Sequence, residues 1–193
     1  MEEAARADRI VAAHCHGKPG IMAALRAGAS TIEHGSYLDE EAAVDMVRRG
    51  AMLVPTRLAV EQLMAMRSSM PDYAFRKLSG LAERHFEAMK IAIHHGVKIA
   101  AGTDTFVSGP AVWGKNGMEA SLLVKAGMTP LQAIEAATAN GPATLGPQAP
   151  KSGLLAAGYD ADVITLDADP LEDISVLSNP ARITGIWKSG ILV

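Results

Sequence analysis

The chain has 193 residues, 49% of them hydrophobic and only 4% aromatic, with a formal net charge of −3 and one cysteine. That length suits one domain, or one with a small appendage; its scattered Lys and Arg offer no basic stripe to nucleic acid, and Cys15 alone forms no internal disulfide. The opening MEEAARADR is charged and unlike a signal peptide, and no apolar run of ~18 residues is present to span a bilayer, so a cytoplasmic protein without a membrane partner is expected.

In chain order, Arg9–Ala13 reads as a strand stopping at His14. Lys18–Ala27 follows as a helix, with Ile21, Met22 and Leu25 at helical spacing and Gly28 as its C-cap. Ser30–Glu33 is a second strand that stops at His34. Asp39 caps a helix over EEAAVDMVRR, whose early acids and late arginines suit the helix dipole, and Gly50 ends it. Ala51–Val54 is the third strand, closed by Pro55, and a helical stretch over Leu58–His95 is interrupted near Met70–Pro71 and ended by Gly96. On it lies His85, while His94 and His95 read as contacts to the helix C-terminus. Val97–Ala101 is the fourth strand and runs into Gly102-Thr103-Asp104, after which a loop spans Thr105–Gly117. Thr129-Pro130-Leu131-Gln132 combines a capping Thr, Pro at the first helical position and Gln at the third.

Strands alternating with helices argue for parallel βα units. After Pro150 the texture changes: Asp162–Leu166 and Ile183–Lys188 are expected strands of a small β-rich unit, with turn signals at Asp169-Pro170, Asn179-Pro180 and Ser189-Gly190.

His14, His34 and Asp104 each stand at the end of an expected strand. In a barrel of parallel strands those ends converge on the face that carries active sites. Two imidazoles and a carboxylate form a ligand set for zinc or a similar divalent metal, which makes water a nucleophile near neutral pH. Asp104 can then both hold the metal and take a proton from that water. The plainer readings stay open here: a hydrogen-bonded structural histidine, and a Gly-Thr-Asp that only makes a turn.

Val11-Ala12-Ala13-His14-Cys15-His16-Gly17 and Gly28-Ala29-Ser30-Thr31-Ile32-Glu33-His34-Gly35 resemble the fifth and sixth barrel strands of the amidohydrolase superfamily. Ile99-Ala100-Ala101-Gly102-Thr103-Asp104-Thr105 resembles its eighth strand. Gly127–Ala133 and Ala136–Ala143 resemble its post-barrel helices, and Gly158–Leu166 with Asp169-Pro170-Leu171 its returning β-domain. Within the superfamily the chain is most similar to the imidazolonepropionase and Xaa-Pro dipeptidase-like branch.

The resemblance implies an α/β fold: a partial (β/α)8 TIM-like barrel, strands five to eight, with post-barrel helices over 1–147 and part of a small β-rich domain over 148–193. It implies metal-dependent hydrolysis of an amide in a small N-acyl amino acid, dipeptide or cyclic amide by activated water. His14 and His34 would be metal ligands, Asp104 a ligand and the catalytic proton shuttle, and His16 and Tyr37 contacts to a small-molecule substrate. The cofactor implied is a divalent metal, zinc, as one or two ions.

The superfamily opens with a His-x-His pair on its first strand, and its binuclear members add a carboxylated lysine on the fourth. Neither strand is in this sequence; His14-Cys15-His16 has the His-x-His form, but the strand-helix-His34 succession assigns it to strand five. The expectation is thus an incomplete barrel whose open sheet edges favour a homo-oligomer. Two other readings follow: a catalytically inactive half-barrel dependent on assembly, and a ring-amidine deaminase. Deaminases commonly carry an acid soon after the strand-five histidine, where this chain has His16-Gly17-Lys18.

Overall fold

The computed structural model describes residues 1–105 and 114–193. After a short helix α1 (Glu2–Arg6), the order is β1 (Ala12–Cys15), α2 (Lys18–Ala27), β2 (Thr31–His34), α3 (Glu40–Arg49) and β3 (Met52–Val54). The three strands form one parallel sheet in sequence order, Ala12 opposite Thr31 and Thr31 opposite Met52. Then come α4 (Arg57–Ala65), α5 (Asp72–His94), α6 (Met118–Lys125) and α7 (Pro130–Ala137). Of the expected loop over 105–117, residues 106–113 lie outside the described residues.

Local chemistry sets the boundaries. Asp39 accepts the Ala42 N–H at 3.1 Å and caps α3, and Thr129 and Gln132 close a reciprocal capping box on α7. Gly28 and Gly50 adopt the left-handed conformation that ends α2 and α3. Pro71 stands just before α5, where its ring divides the long helical stretch into α4 and α5.

Two expected strands differ in detail. The first runs over Ala12–Cys15 rather than ending before His14, so His14 is a strand residue. The fourth, expected over Val97–Ala101, is reduced to a single parallel bridge between Leu53 and Ile99. Leu53 N–H donates to Lys98 O at 2.9 Å and Ala100 N–H to Leu53 O at 3.0 Å, as a fourth strand beside β3 requires. The remaining backbone groups go elsewhere: Ala101 N–H donates to Ala136 O at 2.8 Å, and Ile99 O accepts from Asn140 Nδ2 at 2.9 Å. The end of α7 and its following turn take the hydrogen bonds that a next strand would have used.

Side-chain alternation gives the sheet two faces. Ile32, Leu53 and Ile99 pack with Ile21 and Leu25 of α2, Met46 of α3, Met89 of α5 and Leu123 of α6 in the main core. A fully buried side chain of this kind stabilises the fold by about 1.5–3 kcal/mol. Met52, Val54 and Ala100 form a smaller cluster on the opposite face. By the register, His14 shares that second face, opposite Glu33, which stands opposite Val54.

The tail forms a separate antiparallel sheet of β4 (Val163–Leu166), β5 (Ile183–Lys188) and β6 (Ile191–Leu192). Ser189 and Gly190 both have positive φ, giving the two-residue turn that joins β5 to β6. No helix among the described residues is long and apolar enough to cross a membrane.

Candidate metal centre

Three imidazoles meet at the carboxyl ends of β1 and β2. His14, His16 and His34 each offer a ring nitrogen, and these nitrogens lie within 4.8 Å of one another. The His34 Nε2 to His14 Nδ1 distance is 2.9 Å, and the His16 and His34 rings stack with centroids 4.7 Å apart.

The backbone aims these rings at some cost. His34 has φ 70°, Thr56 φ 54° and Asp104 φ 47°, three non-glycine residues in the left-handed region. Each stands at or just past the end of a successive parallel segment: β2, β3 and the bridge at Ile99. Such conformations cost on the order of 1 kcal/mol or more each and persist where surrounding structure fixes them. Two glycines make room for them. A Cβ on Gly35 would lie 2.7 Å from Leu53 Cδ1, and one on Gly102 would lie 2.4 Å from Val54 Cγ1.

Hydrogen bonds fix the orientation of His34. Its Nδ1 lies 2.7 Å from Thr56 Oγ1, and the Thr56 hydroxyl spends its one proton on Pro55 O, also at 2.7 Å. Thr56 Oγ1 therefore accepts from His34 Nδ1–H, and Nε2 keeps its lone pair for the cluster. His16 Nδ1 pairs with the hydroxyl of buried Ser36 at 2.8 Å.

Burial lowers the pKa of His34, with further lowering from His14 and His16 and an opposing pull from Asp104. Burial followed by His14 likewise lowers that of His16. Both rings are thereby held neutral at ordinary pH, the form in which imidazole binds a metal. Three clustered imidazole nitrogens fit a divalent ion of the zinc type. The neighbouring Cys15 thiol is raised by burial, which keeps it protonated and a poor ligand.

The expected site residues take distinct places. His14, His34 and His16 come together. Asp104 is exposed and does not join the group within 4.8 Å, although its charge reaches His34. Tyr37 is 45% exposed on the turn after β2, where its backbone N–H donates to His16 O at 2.9 Å.

Behind the cluster lies polar structure to which the sequence reading gave no functional role. His85 of α5, 0% exposed, donates from Nε2 to Pro55 O at 2.8 Å. Glu119 of α6, 1% exposed, accepts the backbone N–H of Arg57 at 2.8 Å and of Leu58 at 2.6 Å. Arg57 itself donates to Ala82 O and Glu61. Pro55-Thr56 following a strand was the one available signal; the partners 25 to 62 residues away carried none.

A model of the amidohydrolase family matches residues 1–193. Ochratoxinase of Aspergillus niger is 48% identical over 194 residues, covering 100% of this chain and 39% of that protein. Its crystal structure aligns with a TM-score of 0.88 over 99% of this chain and 43% of that one. A Xaa-Pro dipeptidase solved with methionine in its active site aligns at 0.85 and 33% identity, over 100% of this chain and 46% of that one. A prolidase complexed with N-methylphosphonate-L-proline aligns at 0.86 and 30% identity, over 100% and 47%. The chain thus spans about two-fifths of the length of the curated relatives it matches at 48% identity.

Proposed function

This chain belongs to the amidohydrolase family, and we propose that it is part of a metal-dependent hydrolase of amide bonds in small N-acyl amino acids, dipeptides or cyclic amides. The observation that carries the reading is the meeting of His14, His16 and His34 at the ends of adjacent parallel strands. Its relatives, a Xaa-Pro dipeptidase and a prolidase among them, support a substrate with an acylated amino group.

In this reading residues 1–147 supply barrel strands five to eight with the helices that follow, and residues 148–193 belong to the small β-domain. The parallel sheet order β1-β2-β3 with the bridge to Ile99 supports that assignment. His14, His34 and Asp104 would be the ligands of the metal, zinc. When bound, the ion acidifies water and polarises the amide carbonyl. Asp104, exposed at its strand end, accepts the proton of the attacking water and returns it to the leaving nitrogen. His16, held by Ser36, and Tyr37 on the turn after β2 orient the polar groups of the substrate.

The test is the zinc content of purified chain and of the His14→Ala/His34→Ala variant. Zinc retained by the first and lost from the second is expected; equal, negligible metal in both removes the binding claim.

A second reading, an inactive half-barrel that needs assembly, is favoured by one feature. Among the described residues β1 is the edge of its sheet, and Ala12 and His14 on it are exposed.

A further inference from the structure

Thr56 stands at the N-cap of α4, where threonine ordinarily turns its hydroxyl onto an N–H of the first helical turn. Here it makes no such bond. Its backbone is left-handed rather than extended, and its hydroxyl lies between Pro55 O and His34 Nδ1. The first-turn amides that it leaves open are taken by a carboxylate from another helix. Glu119 Oε1 accepts from Arg57 N–H and Oε2 from Leu58 N–H, across 62 and 61 residues of sequence.

Burying an acid to the extent of Glu119 is costly unless it has partners. Its partners are two amides of the turn that aims His34, one of them next to Thr56. His85 holds the same turn from the other side through Pro55 O, and the Arg57 guanidinium ties it to Ala82 O at 2.6 Å.

Resting on the reading of the histidine cluster as a metal centre, we propose that Glu119 is a positioning residue: it caps α4 in place of Thr56, which leaves the Thr56 hydroxyl free to hold His34 with its Nε2 lone pair toward the metal. Without the carboxylate, the threonine hydroxyl is drawn to the unsatisfied amides of α4 and His34 loses its acceptor. Partners of metal-binding histidines matter in this way because they set both tautomer and ring direction.

The test uses the whole chain and three variants, Glu119→Gln, Thr56→Val and their combination. Gln keeps the volume of Glu119 but offers one acceptor, and Val keeps the shape of Thr56 without the hydroxyl. The tautomer of His34 is read from its ring nitrogen-15 shifts in metal-free protein. In wild type Nδ1 carries the proton; in each variant the two nitrogens are expected to average. Zinc affinity, measured against a chromophoric chelator, falls about tenfold or more in either single variant. The double variant falls no further, since both changes break one arrangement.

A wild-type tautomer in Glu119→Gln, or losses that multiply in the double variant, overturns the proposal. Should Glu119→Gln fail to fold, Glu119→Asp is read the same way, since its shorter side chain withdraws the carboxylate from the two amides. If wild type itself binds no zinc, the metal reading fails, while the metal-free tautomer still decides the role of Glu119.

Discussion

Two buried titratable side chains beneath the histidine cluster oppose each other. Burial, first, and the charge of Arg57 lower the pKa of His85 from its ordinary 6.5 to about 4, against the hydrogen bond to Pro55 O. Folded protein therefore binds fewer protons at His85 than unfolded chain does, and stability is lost as pH falls from 6.5 toward 4. Burial raises the Glu119 carboxyl from 4.5 to about 7, against the pull of the Leu58 and Arg57 amides. Its sign is opposite: the folded state holds the proton more tightly, so stability falls as pH rises from 4.5 toward 7. Each effect is worth roughly 3 kcal/mol at most, and between about pH 4.5 and 6.5 the two slopes compensate. Measured against wild type over that range, denaturant titrations should give His85→Gln a stability that declines with pH and Glu119→Gln one that climbs. Parallel profiles for all three would show that neither group titrates across folding. At this scale the sequence was legible where chemistry follows strand ends, as at His14 and His34. It was opaque at Glu119, whose role exists only once α6 packs against the start of α4.

Among the elements, caps and breaks were the most readable. Asp39, Gly50, Pro71 and the Thr129–Gln132 pair act within a few residues of themselves, so their neighbours in sequence are their neighbours in space. The segment over 97–101 was less so. Its apolar run fixed its extended path beside β3, but whether a ladder forms depends on α7 and Asn140, which claim two of its backbone groups. The glycine that follows it has an element-level role that the motif alone did not disclose. Gly102 lets this segment press against Val54 of β3 closely enough that a Cβ would lie 2.4 Å from Val54 Cγ1. Gly102→Ala should therefore push the segment from β3 and destabilise the fold by about 1–3 kcal/mol. Urea unfolding measures that loss; an unchanged midpoint would mean that Val54 yields freely. On the proposed metal reading, displacement of the same segment also moves Asp104, and zinc affinity becomes a second readout.

For the whole molecule, the parallel sheet and the antiparallel tail were both anticipated, because short apolar runs separated by helices or by turn signals announce each kind of sheet. β6 was not, being two residues long and defined only by its pairing with β5. The matched stretch of the relatives leaves more than half of their length unaccounted for, and among the described residues the edge of β1 has no strand beside it. Size-exclusion chromatography coupled to an amidase screen separates the two functional readings at this scale. A self-sufficient enzyme hydrolyses acyl-amino acids alone. The assembly-dependent reading expects a folded oligomer that stays silent until the rest of the relatives' length is supplied as a second polypeptide; activity of the isolated chain would remove it.

The three left-handed residues at successive strand ends carry one more consequence. The backbone angles of His34, Thr56 and Asp104 are held by the packing around them, in which Gly35 and Gly102 leave no room for a side chain. Any residue swap that relaxes those angles is therefore expected to gain robustness at the expense of the direction in which His34 points.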